Sequence, residues 1–241
     1  MKIQLISDTH LEFKQNIPIS FAGDILILAG DIGTMGSGYK QFITECANYC
    51  KYVIVITGNH EYWNSRGKDH VTRQIREHID PIENAWFLQR EYVDLCGYRF
   101  AGCTMWTRIP QEHGYTIEDH INDYKKIKVL KGEKRHKIRF KDVQDWHFYD
   151  KLWMKEAIRN SPLPVVVVTH HSPIFDLSPK PLDYAFHSDL TDMMTEKVVL
   201  WCHGHTHSHR KFQVGETTVW SNPVGYPKEE TGYVPDEIIE I

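Results

Sequence analysis

Apolar residues in this chain gather into short unbroken runs, and the polar residues that follow each run draw on the same few types. Ile3-Gln4-Leu5-Ile6-Ser7 leads into Asp8-Thr9-His10, and Ile25-Leu26-Ile27-Leu28-Ala29 into Gly30-Asp31. Val53-Ile54-Val55-Ile56-Thr57 leads into Gly58-Asn59-His60-Glu61. Val165-Val166-Val167-Val168 precedes Thr169-His170-His171, and Val198-Val199-Leu200-Trp201 precedes Gly204-His205-Thr206-His207. Runs of this length, rich in β-branched residues, predict buried strands. Five strands that each end in a polar cluster predict one sheet whose carboxyl ends converge on a single crevice, where α/β sheets place their sites. Asp, Asn and His are the residue types that bind metal ions through oxygen and imidazole nitrogen.

Between these runs the spacing changes to that of a helix. Phe42, Ile43, Cys46, Ala47 and Cys50 predict a helix over Tyr39 to Lys51, and Lys68 to Ile79 predicts a second, closed by Asp80-Pro81. Trp86 to Gln89, Tyr92 to Cys96 and Arg99 to Cys103 predict three short antiparallel strands with a turn at Cys96-Gly97-Tyr98. From Thr107 to Lys141 the pattern weakens, which predicts a long excursion with one short helix near Glu118 to Tyr124; long loops in compact domains often carry function. Lys141 to Asn160 returns to helix, with Val143, Trp146, His147, Leu152, Trp153, Ala157 and Ile158 towards one side. The last third predicts a strand at Pro164 to Thr169, a helix near Ser188 to Thr195 and a strand at Val198 to Cys202. Short strands follow at Lys211 to Val214, Thr217 to Trp220 and Glu237 to Ile241, with a hairpin turn at Gly215-Glu216. A mixed sheet followed by antiparallel strands gives an α/β fold of two packed mixed β-sheets, a β-sandwich flanked by helices. Residues 1–241 form one domain, and the excursion at 104–141 is placed to shape a substrate site.

Composition narrows the function. A net charge of −4 argues against a protein held on nucleic acid by a broad basic face, although a nuclease needs only a local positive site. The five cysteines fit no zinc ribbon or knuckle and are expected as reduced core thiols, with Cys46 and Cys50 sharing the buried face of one helix. Met1-Lys2 leads directly into a strand, so no signal peptide is expected. No apolar run is long enough to span a bilayer, and the expected location is cytoplasmic with no membrane partner.

The motifs in order, D-x-H, G-D, G-N-H-E, H and G-H-x-H, resemble those of the calcineurin-like metallophosphoesterase superfamily. Ser7-Asp8-Thr9-His10-Leu11, Thr104-Met105-Trp106-Thr107, Asn122-Asp123-Tyr124, Thr169-His170-His171-Ser172-Pro173, Ser221-Asn222-Pro223 and Gly225-Tyr226 are similar to its small bacterial and phage members. The resemblance implies a phosphoester hydrolase with two divalent ions. Asp8, His10 and His207 would hold one ion, Asn59, His170 and His205 the other, and Asp31 would bridge them. Manganese is the expected metal; iron, zinc, nickel and cobalt suit the same donors. Such a pair clamps a phosphoryl group, and a hydroxide held between the ions attacks phosphorus.

His60 follows ligand Asn59 and is the candidate proton donor to the leaving oxygen. Its orienting partner is open between Glu61 and Asp31. Glu61 is otherwise expected to orient a ligand or cap the next helix, and His203 to be structural. Some branches of the superfamily place a second carboxylate three residues beyond the bridging Asp; here that position is Thr34. Substrate contacts are sought at Asn59, His60, Trp63, His171 and Asn122. The expected substrate is a phosphate ester, a phosphodiester or nucleotide slightly ahead of a monoester, with nucleic acid among the candidates. The basic run from Lys125 to Lys141 reads as a solvated loop or as a surface that steers a polyanion. The competing function is a metal-bound scaffold without turnover, which would be expected to have lost metal or acid residues. An amide-cleaving zinc enzyme is disfavoured by the absence of H-E-x-x-H.

Overall fold

The computed structural model describes residues 1–13, 17–175 and 178–241. The strands and helices are, in order, β1 (Lys2–Ile6), β2 (Ile25–Ala29), α1 (Tyr39–Tyr49), β3 (Tyr52–Ile56), α2 (Lys68–Ile79), β4 (Ala85–Phe87), β5 (Glu91–Leu95) and β6 (Tyr98–Cys103). They continue as α3 (Gly114–His120), α4 (Asp123–Lys126), β7 (Lys128–Lys131), β8 (Lys134–Lys137), α5 (Phe140–Arg159), β9 (Val165–Thr169), β10 (Val198–His203), β11 (Arg210–Val214), β12 (Thr217–Ser221) and β13 (Ile238–Glu240).

Two mixed sheets carry the fold. One runs β13-β1-β2-β3-β4, parallel except for β13; the other runs β11-β12-β10-β9-β6-β5, with antiparallel strands at its edges. The five motif-bearing strands are therefore divided, three to the first sheet and two to the second, rather than lying in one. Alternation decides what each face meets. Ile3, Leu5, Ile25, Ile27, Ile54 and Ile56 point across to Phe100, Val166, Val168, Leu200, Cys202 and Trp220 and form the layer between the sheets. The alternate residues Leu26, Leu28, Val53 and Val55 pack with Ile43, Cys46, Val71 and Ile75 of α1 and α2. On the other side, Val165, Val167, Trp201 and Val219 pack with Met154, Ala157 and Ile158 of α5. Strands covered on both faces read as unbroken apolar runs, and each such side chain contributes about 1.5–3 kcal/mol on burial.

Several expectations are corrected. β4 is parallel to β3 and belongs to the first sheet, not to an antiparallel set with β5 and β6. A strand after a crossover helix lands beside the strand before it, and α2 is that crossover; Arg90, at φ 56°, then turns the chain into the second sheet. The hairpin at Cys96-Gly97 is as expected, with both residues at positive φ (52° and 87°). No α-helix forms at 188–195, where a 3-10 turn covers Thr191–Met193. The Asp189 side chain accepts from the backbone N–H and hydroxyl of Thr191, and such local bonds compete with helix. The excursion is more ordered than expected, holding α3, α4 and the β7–β8 hairpin. Leu152 is exposed on α5, and Cys96 is an exposed thiol while the other four cysteines are buried.

The chain ends meet. β13 pairs with β1, the Met1 ammonium donates to the Ile241 carbonyl at 3.0 Å, and the Ile241 N–H donates to the Met1 carbonyl at 3.1 Å.

Candidate active site

Because β1, β2, β3, β9 and β10 are parallel within their sheets, their carboxyl ends open at one edge. The loops there are tied by backbone bonds: Asp8 N–H to Gly30 O, His10 N–H to Asp31 O, and Gly204 N–H to His170 O, each at 3.0 Å. The backbone bends sharply, with positive φ at Asp8, His10, Asp31, His205 and His207. Such strain persists where the surroundings over-determine the conformation, and it gathers at functional sites. At Gly58 there is no room for a side chain, since a Cβ would lie 2.1 Å from Asp31 Oδ1 and 2.6 Å from the His170 ring.

Two clusters result, and a third set joins them. Asp8, His10 and His207 offer donor atoms within 4.8 Å of one another, as do Asp31, His170 and His205, and so do His10, Asp31 and His60 in between. Asp31 lies between them, its Oδ2 4.0 Å from His10 Nε2 and 3.4 Å from His170 Nε2. The ring partners favour tautomers that leave Nε2 free to ligate. Nδ1 of His10 faces Glu12 at 3.3 Å, Nδ1 of His207 faces Glu229 at 2.6 Å, and Nδ1 of His170 faces the Ala29 carbonyl at 2.9 Å. His10 Nε2 and His207 Nε2 then stand 3.0 Å apart with their lone pairs towards the same space. Carboxylates behind imidazoles are the usual support of metal-binding histidines, and both clusters fit divalent cations. Asn59 adds an oxygen: its Nδ2 donates to Asp123 at 2.8 Å, which leaves Oδ1 3.1 Å from His170 Nε2.

Charge in the crevice is strongly coupled. Burial works against the Asp31 carboxylate, but His170 and His60 outweigh it and hold its pKa well below the usual range. Burial likewise opposes the His170 imidazolium, yet Asp31 and Asp8 raise it to about 10; Asp8 and Glu229 raise His207 to about 9 against the same opposition. For half-buried His205, desolvation and the neighbouring His171 and His170 push the pKa well below its ordinary value.

The nearest side-chain partner of His60 is neither of the two expected candidates, although Asp31 stays beside it and accepts its backbone N–H at 2.8 Å. Its Nδ1 lies 2.7 Å from Glu12 Oε1, while its Nε2 faces Asp31 Oδ2 at 3.9 Å and the Tyr226 hydroxyl at 3.3 Å. One face of the ring stacks on Trp63 at 3.4 Å between centroids. Burial opposes its positive charge, but Asp31 and Glu12 raise its pKa. Glu12 itself is held down at about 2: burial opposes its ionisation, and the bonds to His10 and His60 outweigh it. Glu61 does not reach His60 but orients the loops, accepting from the N–H groups of Ile32 (2.7 Å), Gly58 (2.8 Å) and Asp31 (3.2 Å).

The crevice opens into a cleft of about 370 Å³, lined by Asp31, Asn59, His60, Trp63, Asn122 and Tyr226 among others. Asn122 is exposed there, and its neighbour Asp123 is buried, accepting from Asn59 and from Trp63 Nε1 at 2.6 Å. His171 is buried behind His205 against Trp106, and it is not among the residues that line the cleft. His203 is buried and bonded to the Gly204 carbonyl, in keeping with a structural role. Thr34 takes no part in the cleft. Reading of the sequence missed Glu12 and Glu229, and it singled out the Asn122-Asp123 and Gly225-Tyr226 motifs without the contacts that Asp123 and Tyr226 make. For Glu12 a signal existed, two residues beyond His10.

Known proteins bear on the site from two sides. A family model described as calcineurin-like phosphoesterase matches residues 1–209. The uncharacterized protein L509 of Acanthamoeba polyphaga mimivirus is 28% identical over 99% of this chain and 96% of its own. In fold, the chain is similar to the phosphopantetheinyl hydrolase of Mycobacterium tuberculosis, with TM-score 0.74, 17% identity, and coverage of 94% of this chain and 90% of that one.

Proposed function

The chain belongs to the calcineurin-like phosphoesterase family, and on that premise we propose that it hydrolyses phosphodiesters with two divalent metal ions. The observation that carries the reading is the convergence of two three-residue clusters with the Asp31 carboxylate between them. In this reading Asp8, His10 and His207 hold one ion, Asn59, His170 and His205 the other, and Asp31 serves both. Ions bound there supply positive charge to a phosphoryl group and lower the pKa of water. Manganese is the proposed occupant, although the donor set also suits iron, zinc, nickel and cobalt.

The chain's own residues supply the rest. His60 carries a proton on Nε2, beside Asp31 and open to the cleft, and donates it to the leaving oxygen. Glu12 holds the ring through Nδ1 and stabilises its charge; Trp63 fixes the ring plane. The Tyr226 hydroxyl stands where it can donate to a phosphoryl oxygen. Asp123 orients Asn59 by taking up its amide N–H. The 104–141 excursion thus shapes the cleft through Asn122 and Asp123.

Two features favour a diester. Among the described residues, those lining the cleft include the carboxylates of Asp31, Asp123 and Glu229 and no Lys or Arg, so a singly charged diester is better matched than a dianionic monoester. The structural neighbour's named activity, hydrolysis of a phosphopantetheinyl group, is in line with such a substrate. The Glu12–His60 pair also speaks for turnover rather than a silent scaffold.

The test is hydrolysis of chromogenic di- and monoesters by metal-stripped protein with manganese added back and an Asn59→Ala control. Diester turnover restored by metal and lost in the control is the expected result. Monoester turnover alone would replace the reading with a phosphatase, and none from metal-loaded protein would end it.

A further inference from the structure

The 104–141 excursion also carries the most concentrated charge in the molecule. Residues 125–141 hold nine Lys and Arg against one carboxylate, Glu133, a net charge of +8 in a chain that totals −4, so all other residues together carry −12. Much of this charge lies on the β7–β8 hairpin, a two-stranded sheet that pairs with neither of the others. Register sorts its faces. Val129, with His136 across from it, lies on the face towards the body and packs on the core, and Lys131 on the same face is drawn to Asp142 at 2.7 Å. On the opposite face, Lys128 stands across from Lys137 and Leu130 across from Arg135.

Three features of that outer face point to a ligand. Lys128, Arg135 and Lys137 have no ion-pair partner among the described residues, whereas Lys131 and Arg139 are paired with Asp142 and Glu118. Like charges directly opposite destabilise a ladder, and this face has such a pair, Lys128 with Lys137. Leu130 stands 60% exposed amid these cations. The ribbon also begins at the cleft: Asn122 lines it, the Asn64 N–H donates to the Lys126 carbonyl at 3.0 Å, and Lys126 Nζ lies 3.7 Å over the Trp63 ring that backs His60.

We infer that the β7–β8 ribbon is a docking arm for nucleic acid, its outer cations gripping the phosphodiester backbone beside the cleft. The part that delivers one linkage of that backbone to the cleft rests on the diester-hydrolase reading; the docking itself does not. Nucleic acid is favoured over an acidic protein because its repeating phosphodiester is both a polyanion and the bond type proposed for the cleft.

The test compares the full-length, manganese-loaded protein with the Lys128→Ser/Arg135→Ser/Lys137→Ser variant, whose changes are all on exposed positions. Binding of a labelled, hydrolysis-resistant phosphorothioate oligonucleotide is read by anisotropy over a salt series. The triple variant is expected to lose about 10- to 100-fold in affinity at low salt, and its log–log salt slope to fall by about 2, at roughly 0.7 per lost single-strand contact. Turnover of a small chromogenic diester and thermal stability are expected to hold. Equal affinity and slope for both proteins would overturn the inference, as would displacement of the oligonucleotide by poly-glutamate at equal charge, which would assign the arm to acidic proteins. If neither protein turns over the small diester yet the slope still falls with the ribbon cations, docking stands and the hydrolase reading is what fails.

Discussion

The crevice and the β7–β8 ribbon hold charge in opposite ways. In the crevice, Asp8, Asp31, Asn59, His60 and His170 are all at most 4% exposed, and each lies within hydrogen-bond or ion-pair distance of named partners. A buried charge left alone costs several kcal/mol, so these groups can exist only as a set, and five of the loop residues accept left-handed backbone to complete it. In the ribbon, the cations of Lys128, Lys134, Arg135 and Lys137 stay in water. They need no partner to fold, and they act over a screened range of about 8–10 Å. Chemistry that must be placed to a fraction of an ångström is bought with burial and strain; attraction of a long polyanion is not.

Substitution should separate the two regions sharply. The largest effect is expected from Asp31→Asn, which removes the charge shared by both clusters: kcat/KM should fall by about 10⁴-fold or more, with metal content lost. Full metal content and near-normal turnover would remove Asp31 from its central role. Next, His60→Asn should lower kcat by about 10³-fold for esters with alkyl leaving groups and far less for p-nitrophenyl esters, whose leaving group needs no proton. Equal losses on both would deny His60 the proton-donor role.

Glu12→Gln should follow the same leaving-group pattern at about 10- to 100-fold, with partial rescue by Glu12→Asp. A drop in KM terms alone, blind to the leaving group, would make Glu12 merely structural. Metal affinity should climb with pH. His170 and His207, raised to about 10 and about 9, are protonated at neutral pH without metal. An incoming cation must displace those protons, so affinity should rise at least about tenfold per unit between about pH 6 and 8. Calorimetry in buffers of different ionisation enthalpy reads the released protons, and a flat profile would contradict those pKa values. At the small end, Leu130→Ser should change stability by under about 0.5 kcal/mol and leave small-diester turnover alone. A larger loss in thermal unfolding would mean that the ribbon is part of the folded core.

Most of the crevice was legible because its residues sit one to six positions past apolar runs, where local pattern and chemistry coincide. Asp8, His10, Asp31, Asn59, His170, His205 and His207 all follow that rule. What escaped acts across the chain. Glu12 meets His60 across 48 residues, Asp123 meets Asn59 across 64, and Tyr226 meets His60 across 166. Apart from the place of Glu12 two residues beyond His10, no spacing announces such contacts, since they depend on how loops from different strands lean together. The same holds for β4, whose parallel pairing with β3 is set by the crossover of α2 rather than by its own three residues. The missing helix at 188–195 has the reverse cause, a local side-chain bond from Asp189 that periodicity does not weigh.

The pairing of the first residue with the last has a practical side. β1 runs from Met1 towards Asp8, so both ends of the chain lie at the foot of the sheet, roughly 20 Å along the strand direction from the crevice. A fluorophore, a surface tether or a fused module attached at either end hangs from the far side and leaves the cleft and the ribbon clear. Joining the two ends by a short link and reopening the chain at the Gly132-Glu133 turn gives a rewired polypeptide with every motif loop intact. In that arrangement the basic arm would become the pair of free ends, each one separately trimmable.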